Sequence, residues 1–277
     1  MKINRIAVLG SGSMGTAILQ GLLKAGFDSA NVAVSTKTQN NAKRLADELG
    51  VTAYSLESHP QANQLAVAGA DLVLVAVKPM YVIETLKQVS PELQQNALVI
   101  SVAAGITLAA MQDAVPETIG VIRSMPNTPA IVGRAVTGIS AGTRTTSQQL
   151  QIASELFETV GSVVVLPEGQ IDALSTISGS GPAYVFYLIE EMTKAAVEMG
   201  FDETTAALLV EQTFLGASLL LDQSERSPRE LRQQVTSPNG TTMRAVAKLE
   251  EANLANLFEN AARAALARAK EIAAGLS

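Results

Sequence analysis

The chain contains no cysteine and a single histidine, His59. Without cysteine it can form neither a disulfide nor a reactive thiolate. One histidine without cysteine also argues against a zinc site, so we expect no bound metal. His59 stands in a polar stretch before Pro60, and we expect it to lie in a loop.

Tryptophan is absent, aromatic residues make up 4% of the chain, and positive charge is not in excess. The net charge is −6 and the pI is near 5.0. An acidic protein does not attract nucleic acid or an anionic membrane, so we expect neither as a partner. No apolar run looks long enough to span a bilayer, and the first residues show no targeting pattern. We therefore expect a soluble, cytoplasmic protein.

The 277 residues suffice for two domains, and the acidic charge is unevenly divided between them. Residues 1–167 hold 11 acidic and 11 basic side chains, whereas residues 168–277 hold 15 acidic and 9 basic ones. The neutral first part is therefore the better place for a phosphate-rich cofactor.

A glycine-rich motif follows the first apolar run, Ile6–Leu9. Residues 10–15 read G-x-G-x-x-G and lead into a helical pattern, which is the context of a dinucleotide site. In such a site Gly10 permits a tight turn, Gly12 lets pyrophosphate approach the backbone, and Gly15 allows close packing of helix on sheet. The alternative is a glycine-rich turn that binds no ligand.

The end of the second predicted strand indicates which dinucleotide is bound. An NAD site usually has an acid there for the ribose 2′-hydroxyl. Here Ser35, Thr36 and Lys37 occupy that place, and no acid occurs between Asp28 and Asp47. Hydroxyl groups and a lysine would donate to a 2′-phosphate. We expect NADP(H), with NAD as a weaker alternative; an ordinary polar loop is the other interpretation.

Short apolar runs alternate with helical patterns through residue 167, which predicts a doubly wound α/β sheet of Rossmann type. Because the runs are apolar throughout, we expect a parallel sheet buried on both faces. The predicted strands are Ile6–Leu9, Val32–Ser35, Val51–Tyr54, Leu72–Val77, Leu98–Val102 and Gly120–Met125, with Gly138–Ala141 and Ser162–Leu166 as later additions. Helices are expected between them at Gln39–Leu49 and Val82–Ser90.

From Ile171 onward the chain shows helical periodicity and no convincing strand, so we expect a second, all-helical domain at residues 168–277. The predicted helices are Ala183–Met199, Glu203–Gln223, Pro228–Val235 and Thr242–Ala274. Wide apolar faces, which include Leu208, Leu209, Phe214, Leu215, Leu219 and Leu220, predict a homodimer built on this domain. A self-sufficient bundle is the alternative.

Ligands of such sheets bind at the carboxyl ends of the strands. Small residues and prolines follow three predicted strands there, and Asn127 and Thr128 could bond the cofactor or brace their loop. In the helical part, Ser178–Pro182 and Thr236–Thr242 are hydroxyl-rich helix entrances. Free N–H groups at such entrances bind carboxylates, although Ser and Thr also serve there as ordinary N-caps.

These motifs, in this order, resemble the pyrroline-5-carboxylate reductases over nearly the whole chain. The resemblance implies reduction of 1-pyrroline-5-carboxylate to L-proline with NAD(P)H, the last step of proline synthesis. It also implies a Rossmann domain (1–167), a helical domain (168–277) that binds substrate and dimerises by interlocking, and larger rings such as a decamer. The motifs that carry it are Gly10–Gly15, Ala76–Pro79, Ser101–Gly105, Met125–Pro129, Ser178–Tyr184 and Thr236–Thr242.

The resemblance also implies the site residues. The implied cofactor contacts are Gly10, Ser11, Gly12, Ser13, Met14, Gly15, Ser35, Thr36, Lys37, Asn63, Ala76, Val77, Lys78, Pro79, Ala103, Ala104 and Gly105. The implied substrate contacts are Glu168, Glu225, Gln234, Ser237, Gly240, Thr241 and Thr242. Two positions depart from the family pattern: Asn239 replaces a glycine, and Gln234 stands where some relatives have asparagine.

A protonated imine is already electrophilic, so its reduction mainly requires orientation and charge placement. We expect the Thr241 and Thr242 N–H groups, with Ser237, to hold the carboxylate, the Thr242 hydroxyl to act as the catalytic contact with the ring nitrogen, and Glu225 to favour its positive charge. A 3-hydroxyacid dehydrogenase would need a lysine where Val185 stands, and Lys194 is too far along the helix. A non-catalytic NADPH-sensing module is the other alternative.

Overall fold

A computed structural model describes residues 3–273, with side chains described to residue 271, and its centre is one eight-stranded sheet in the order β3-β2-β1-β4-β5-β6-β7-β8. The first six strands alternate with helices and are all parallel, as the apolar runs predict. The strands are β1 Ile6–Leu9, β2 Val32–Thr36, β3 Thr52–Ser55, β4 Leu72–Val75, β5 Leu98–Ser101, β6 Gly120–Met125, β7 Ala135–Ala141 and β8 Gly161–Val165.

The sheet departs from the expected parallel arrangement at β7, which pairs antiparallel with β6. Only the residues from Pro126 to Arg134 join these strands, and a parallel crossover needs a dozen or more. A 3₁₀ turn, Thr128–Val132, ends at Gly133 with a positive φ of 71° and reverses the chain. The edge strand β8 then runs parallel to β7, and its Val164 and Val165 are exposed rather than buried.

Helices cover both faces of the sheet, and each face has its own apolar core. One core joins β1, β2 and β4 to Ile18, Leu45 and Phe157, and the other packs Leu86 and Met111 against the opposite face. The helices of this part are α1 Ser13–Lys24, α2 Gln39–Leu49, α3 Ala62–Val67, α4 Val82–Val89, α5 Leu108–Asp113, α6 Ser147–Glu158 and α7 Ile171–Leu174. His59 lies in an exposed loop, as expected.

The rest of the described chain is helical, and no strand follows β8 up to residue 273. Its helices are α8 Gly181–Glu198, α9 Glu203–Asp222, α10 Pro228–Gln234, α11 Thr241–Glu251 and α12 Leu254–Ala273. The expected single helix Thr242–Ala274 is thus two helices, because Asn253 adopts a left-handed φ of 49° between them; Ala274 lies outside the described residues.

Two compact units result. The first runs to Ser180 and includes the last helix from Ala265 onward, and the second spans Gly181–Ala264. Within the second unit, α9 is long and apolar enough to cross a membrane by length and composition, with a mean hydropathy of 1.4. The expectation that no apolar run reaches this length is therefore wrong for α9.

Candidate active site

The glycine-rich loop between β1 and α1 has the shape that a dinucleotide needs. Gly10 has a φ of 85°, and a Cβ there would lie 2.8 Å from the Ala76 carbonyl oxygen. A Cβ on Gly15 would lie 2.5 Å from the Gly10 oxygen, whereas one on Gly12 would meet nothing within 4 Å. Gly10 and Gly15 are thus fixed by packing, and Gly12 faces open space.

Polar groups at this loop remain available for a ligand. The Ser11 hydroxyl is buried and has no hydrogen-bond partner among the described residues. No side chain caps the N-terminus of α1 at Gly12, so its first N–H groups and partial positive charge face the open side. An orphaned hydroxyl beside an uncapped helix fits a pyrophosphate, so these residues suit the cofactor that the sequence predicts.

The end of β2 differs in detail from the predicted phosphate site. Ser35 is buried, and its hydroxyl donates to Asn63 Oδ1 at 2.7 Å; Asn63 Nδ2 in turn donates to Gln88 at 3.0 Å. Thr36 is also buried and accepts from Asn41 Nδ2 at 2.7 Å. Only Lys37 of the three predicted residues is exposed. Ser35 and Asn63 therefore meet each other, and Lys37 alone is free to approach solvent.

A cavity of about 290 Å³ opens at the carboxyl ends of β5 and β6, within the first unit. The predicted cofactor residues Ala103, Ala104 and Gly105 form one wall. The opposite walls come from β6, from the helical segment after β8 and from the last helix, and include Arg123, Met125, Asp172, Ser175, Thr176 and Arg268. A small-residue wall beside charged groups suits a flat ring with a polar edge.

Arg123 on β6 is a buried cation that sequence reasoning missed. Its side chain is 4% exposed; its Nη1 lies 3.3 Å from Glu168 Oε1, and its Nη2 donates to Asp172. Glu168 Oε1 also accepts from the Leu108 N–H at 2.7 Å, at the start of α5. Glu168, predicted to contact substrate, is thus bonded within the first unit and ties α5 to β6.

The side-chain amide of Asn127 holds the loop after β6 in place by a donated and an accepted hydrogen bond. Asn127 Nδ2 donates to the Ser178 carbonyl at 2.9 Å, and Asn127 Oδ1 accepts from the Val136 N–H at 2.9 Å. Of the two roles open to Asn127, the structure shows loop bracing. Ser178 itself lies in a π-helical turn, Ser175–Gly179, so the entrance to α8 is helical rather than an open loop.

The turn before α11 brings two of the predicted substrate residues, Ser237 and Gly240, into contact. The Gly240 N–H donates to the Ser237 carbonyl at 3.1 Å, and a Cβ on Gly240 would lie 2.4 Å from the Ser237 hydroxyl oxygen. Asn239 has a φ of 58°, the left-handed conformation that asparagine tolerates in place of glycine. The departure from the family pattern therefore keeps the turn.

This turn presents an open helix N-terminus. Gly240 is the N-cap of α11, and no side chain bonds to the free N–H groups there. Thr241 and Thr242 are both exposed at this first turn, and an Arg232–Glu250 ion pair at 3.5 Å joins α10 to α11. Glu225 and Gln234 also belong to this unit and are exposed. Glu168 alone of the predicted substrate residues lies in the first unit.

The residues that sequence reasoning missed are polar groups held by distant partners. Arg123, Asp172 and Asn41 all make such contacts. Of these three residues, only Arg123 could have been noticed in the sequence, because it is a charged residue within an otherwise uncharged predicted strand. Among the residues described, no group of three His, Cys, Asp or Glu side chains could hold a metal ion.

Comparison with known proteins agrees with this geometry. Residues 168–272 match the family model for pyrroline-5-carboxylate reductase dimerisation, and residues 5–105 match that for NADP oxidoreductase, coenzyme F420-dependent. The chain is 38% identical to the pyrroline-5-carboxylate reductase of Methanosarcina acetivorans, over 98% of this chain and 99% of the relative. It is 35% identical to that of Corynebacterium melassecola, over 96% and 98%.

Solved structures give the same result. A pyrroline-5-carboxylate reductase from Coxiella burnetii superposes with a TM-score of 0.91 at 35% identity and covers 98% of both chains. A pyrroline carboxylate reductase from Plasmodium falciparum, solved with NADP bound, has a TM-score of 0.82 at 24% identity, covers 97% of this chain and 98% of its own, and supports the fold.

Proposed function

Because the chain belongs to the pyrroline-5-carboxylate reductase family, we propose that it reduces 1-pyrroline-5-carboxylate to L-proline with NAD(P)H, the last step of proline biosynthesis. Near-complete coverage by relatives of that name is the observation that carries the proposal. The division of labour is a cofactor domain at 1–167 and a substrate and dimerisation domain at 168–277, supported by the family match that begins at residue 168.

The cofactor residues are those of the first unit. The orphaned Ser11 hydroxyl and the uncapped N-terminus of α1 hold the pyrophosphate. Ala76–Pro79 follow β4 and Ala103–Gly105 lie just beyond β5, and because these two strands are neighbours in the sheet, both segments bound the nicotinamide half. When bound, the reduced coenzyme supplies the hydride. NADPH is the preferred form and NADH the weaker one, with Lys37 as the exposed cation nearest the end of β2.

The substrate residues are those of the turn before α11. The Thr241 and Thr242 N–H groups and the Ser237 hydroxyl hold the carboxylate, because these N–H groups have no side-chain cap. The Thr242 hydroxyl bonds the ring nitrogen and orients the C=N carbon. Glu225 and Gln234 complete the set, and the negative charge of Glu225 favours the protonated imine. Glu168 belongs to the proposed set as well, and its bonds to Arg123 and to the Leu108 N–H fix its position in the first unit.

Assembly follows from the exposed leucines of the second unit. The family match supports an oligomer through a dimerisation domain. The oligomer that we propose is a homodimer through α8, α9 and α12, and such dimers assemble into larger rings such as a decamer. We place the protein in the cytoplasm, with neither nucleic acid nor membrane as a partner. A dimer partner would cover the apolar face of α9, where Leu208, Leu215 and Leu220 are more than half exposed.

The structure disfavours the rival 3-hydroxyacid dehydrogenase. Lys194, the nearest lysine along α8, donates to Glu190 at 2.7 Å and to Glu191 at 2.8 Å. These two carboxylates, Glu190 first, raise the pKa of Lys194 well above its usual range, and the ammonium remains charged. Lys194 is thus held in ion pairs on the exposed surface of α8, and Val185 stands where such a dehydrogenase would have its lysine.

The test is NADPH oxidation by the purified enzyme with 1-pyrroline-5-carboxylate, against a panel of 2- and 3-oxo acids. Turnover with the cyclic imine alone supports the proposal. Turnover with an oxo acid supports the dehydrogenase, and NADPH binding without turnover on any substrate supports a sensing module. Proline formed from the imine is measured by chromatography, so that oxidation of NADPH by other routes is not counted.

A further inference from the structure

An acidic side chain reaches the end of β2 from the neighbouring strand. Glu57, two residues after β3, accepts from the Gln39 N–H at 2.8 Å through its Oε2 atom. Gln39 is the first residue of α2. The Glu57 N–H itself donates to the Lys37 carbonyl at 3.3 Å. The absence of an acid between Asp28 and Asp47 therefore does not leave this place without a carboxylate.

This place is tied directly to the glycine-rich loop. Asn41 Nδ2, on the first turn of α2, donates both to the Ser11 carbonyl at 3.1 Å and to Thr36 Oγ1 at 2.7 Å. The β2 end, the α2 start and the dinucleotide loop are therefore one connected structure. Glu57 belongs to it through Gln39 and Lys37, so its charge bears on any group bound beside Thr36 and Lys37.

The two coenzymes respond oppositely to a carboxylate here. A ribose 2′-hydroxyl can donate to it, as it does to the acid of NAD sites. A 2′-phosphate carries nearly two negative charges and is repelled by it. Lys37 is exposed and lies beside Glu57, whose N–H donates to the Lys37 carbonyl. The positive charge of Lys37 attracts a 2′-phosphate, whereas the Glu57 carboxylate repels it. Arg44 also reaches this network, because its Nη2 donates to Asn41 Oδ1 at 2.9 Å, but its charge is paired with Glu48. Lys37 and Glu57 are the charges here that are not paired with each other or with Arg44, so the local charge is mixed rather than purely basic.

We propose that Glu57 is a specificity-determining residue, whose carboxylate favours the ribose 2′-hydroxyl of NADH and weakens binding of the 2′-phosphate of NADPH. The inference rests on the proposed use of a nicotinamide dinucleotide by this domain. It makes the chain a user of both coenzymes, in which Lys37 and Glu57 set the ratio between them.

The variant Glu57→Gln tests it, because the amide oxygen of glutamine still accepts from the Gln39 N–H while the charge is lost. Calorimetry with 2′,5′-ADP and 5′-AMP, which differ only in the 2′-phosphate, measures binding without turnover. We expect 2′,5′-ADP to bind roughly three- to tenfold more tightly to Glu57→Gln, the size of one exposed charge acting on a divalent group. Binding of 5′-AMP stays the same or weakens.

The control is Asp47→Asn, which removes one exposed charge from the far end of the same helix. It lies eight residues from Gln39, roughly 12 Å along the helix and beyond the screening length, so it should leave the ratio of the two affinities unchanged. In 1 M salt the gain in Glu57→Gln should largely disappear, since screening acts on charge and not on shape.

Unchanged or weaker binding of 2′,5′-ADP by Glu57→Gln, or an equal gain in Asp47→Asn, overturns the inference. The proposed function fails separately, if the wild-type protein binds neither NADPH nor NADH. Where the wild-type protein does bind these coenzymes, steady-state kinetics gives a second readout. The ratio of kcat/KM with NADPH to kcat/KM with NADH should rise in Glu57→Gln by the same factor as the affinity for 2′,5′-ADP.

Discussion

The two units solve the problem of burying apolar side chains in different ways. In the first, the strands β1, β4 and β5 are buried along their whole length. In the second, between Gly181 and Ala264, Ala206 and Val210 are the buried apolar residues of the described chain. The first unit therefore has a closed apolar core, and the second leaves its helix faces open.

The difference teaches where this chain depends on a partner. A fully buried leucine contributes about 1.5–3 kcal/mol relative to an exposed one. The second unit leaves several leucines of α9 exposed and forgoes that contribution as a single chain. We infer that the sheet unit is stable by itself and that the helical unit acquires its stability on assembly. Variants placed in matched positions of the two units can separate these cases.

The largest effect is expected from Leu219→Glu on α9, where the side chain is 42% exposed. A charge in a dimer interface would be buried without a partner, in both copies. We expect monomers or insoluble protein, measured by light scattering after size-exclusion chromatography. Leu65→Glu on α3 is the matched control, since Leu65 is 41% exposed in the sheet unit. A soluble Leu219→Glu protein of unchanged mass would show that this face takes no part in assembly.

The sheet was the more predictable of the two units. The alternation of apolar runs and helical patterns located every strand from β1 to β6 within a few residues, because each local pattern agrees with its place in the fold. The reversal at β7 was missed, since it depends on the length of the Pro126–Arg134 connection rather than on strand pattern.

The site was predictable only where chemistry follows from local sequence. The glycine loop and the Asn239 turn can be read from spacing and residue type. The contacts of Arg123 with Glu168 and Asp172, and of Glu57 with Gln39, join residues distant in the chain. No periodicity encodes such pairs, and they appear only once the strands are placed side by side.

The next largest effect is expected from Arg123→Met, within the first unit. Removal of one partner of a buried ion pair costs about 3–5 kcal/mol, and because Glu168 and Asp172 are partly exposed we expect the lower end, about 3 kcal/mol. Chemical denaturation measures it. Arg44→Met is the control, since its pair with Glu48 is exposed and worth under about 1 kcal/mol. Equal losses in the two variants would show that the Arg123 cluster contributes nothing special.

A smaller effect is expected from Thr242→Val, which tests the site rather than the core. Valine keeps the shape and removes the hydroxyl proposed to bond the ring nitrogen. We expect kcat/KM for 1-pyrroline-5-carboxylate to fall roughly ten- to a hundredfold, with NADPH affinity unchanged. Thr241→Val, the neighbouring exposed residue, should change turnover little, because only its N–H is used. Wild-type turnover in Thr242→Val would remove the hydroxyl from the mechanism.

The smallest effect is expected at the start of α9, where a cap stabilises a helix that has little core of its own. Asp202 accepts from the Thr205 N–H at 3.0 Å and from its hydroxyl at 2.6 Å. These bonds, the hydroxyl first, lower the pKa of Asp202 below its ordinary value of 3.8.

A carboxylate whose pKa is lowered by folding stabilises the folded state above its unfolded pKa and ceases to do so as the pH falls through its folded pKa. Thermal unfolding should therefore show Asp202→Ala less stable than wild type at pH 7, and the difference should shrink once the pH drops below 3.8. Asp202→Asn keeps a capping oxygen without the titration, so its difference from Asp202→Ala should vary much less with pH. If the wild type exceeds Asp202→Ala in thermal stability by the same amount at pH 7 and below pH 3.8, the cap acts without its charge.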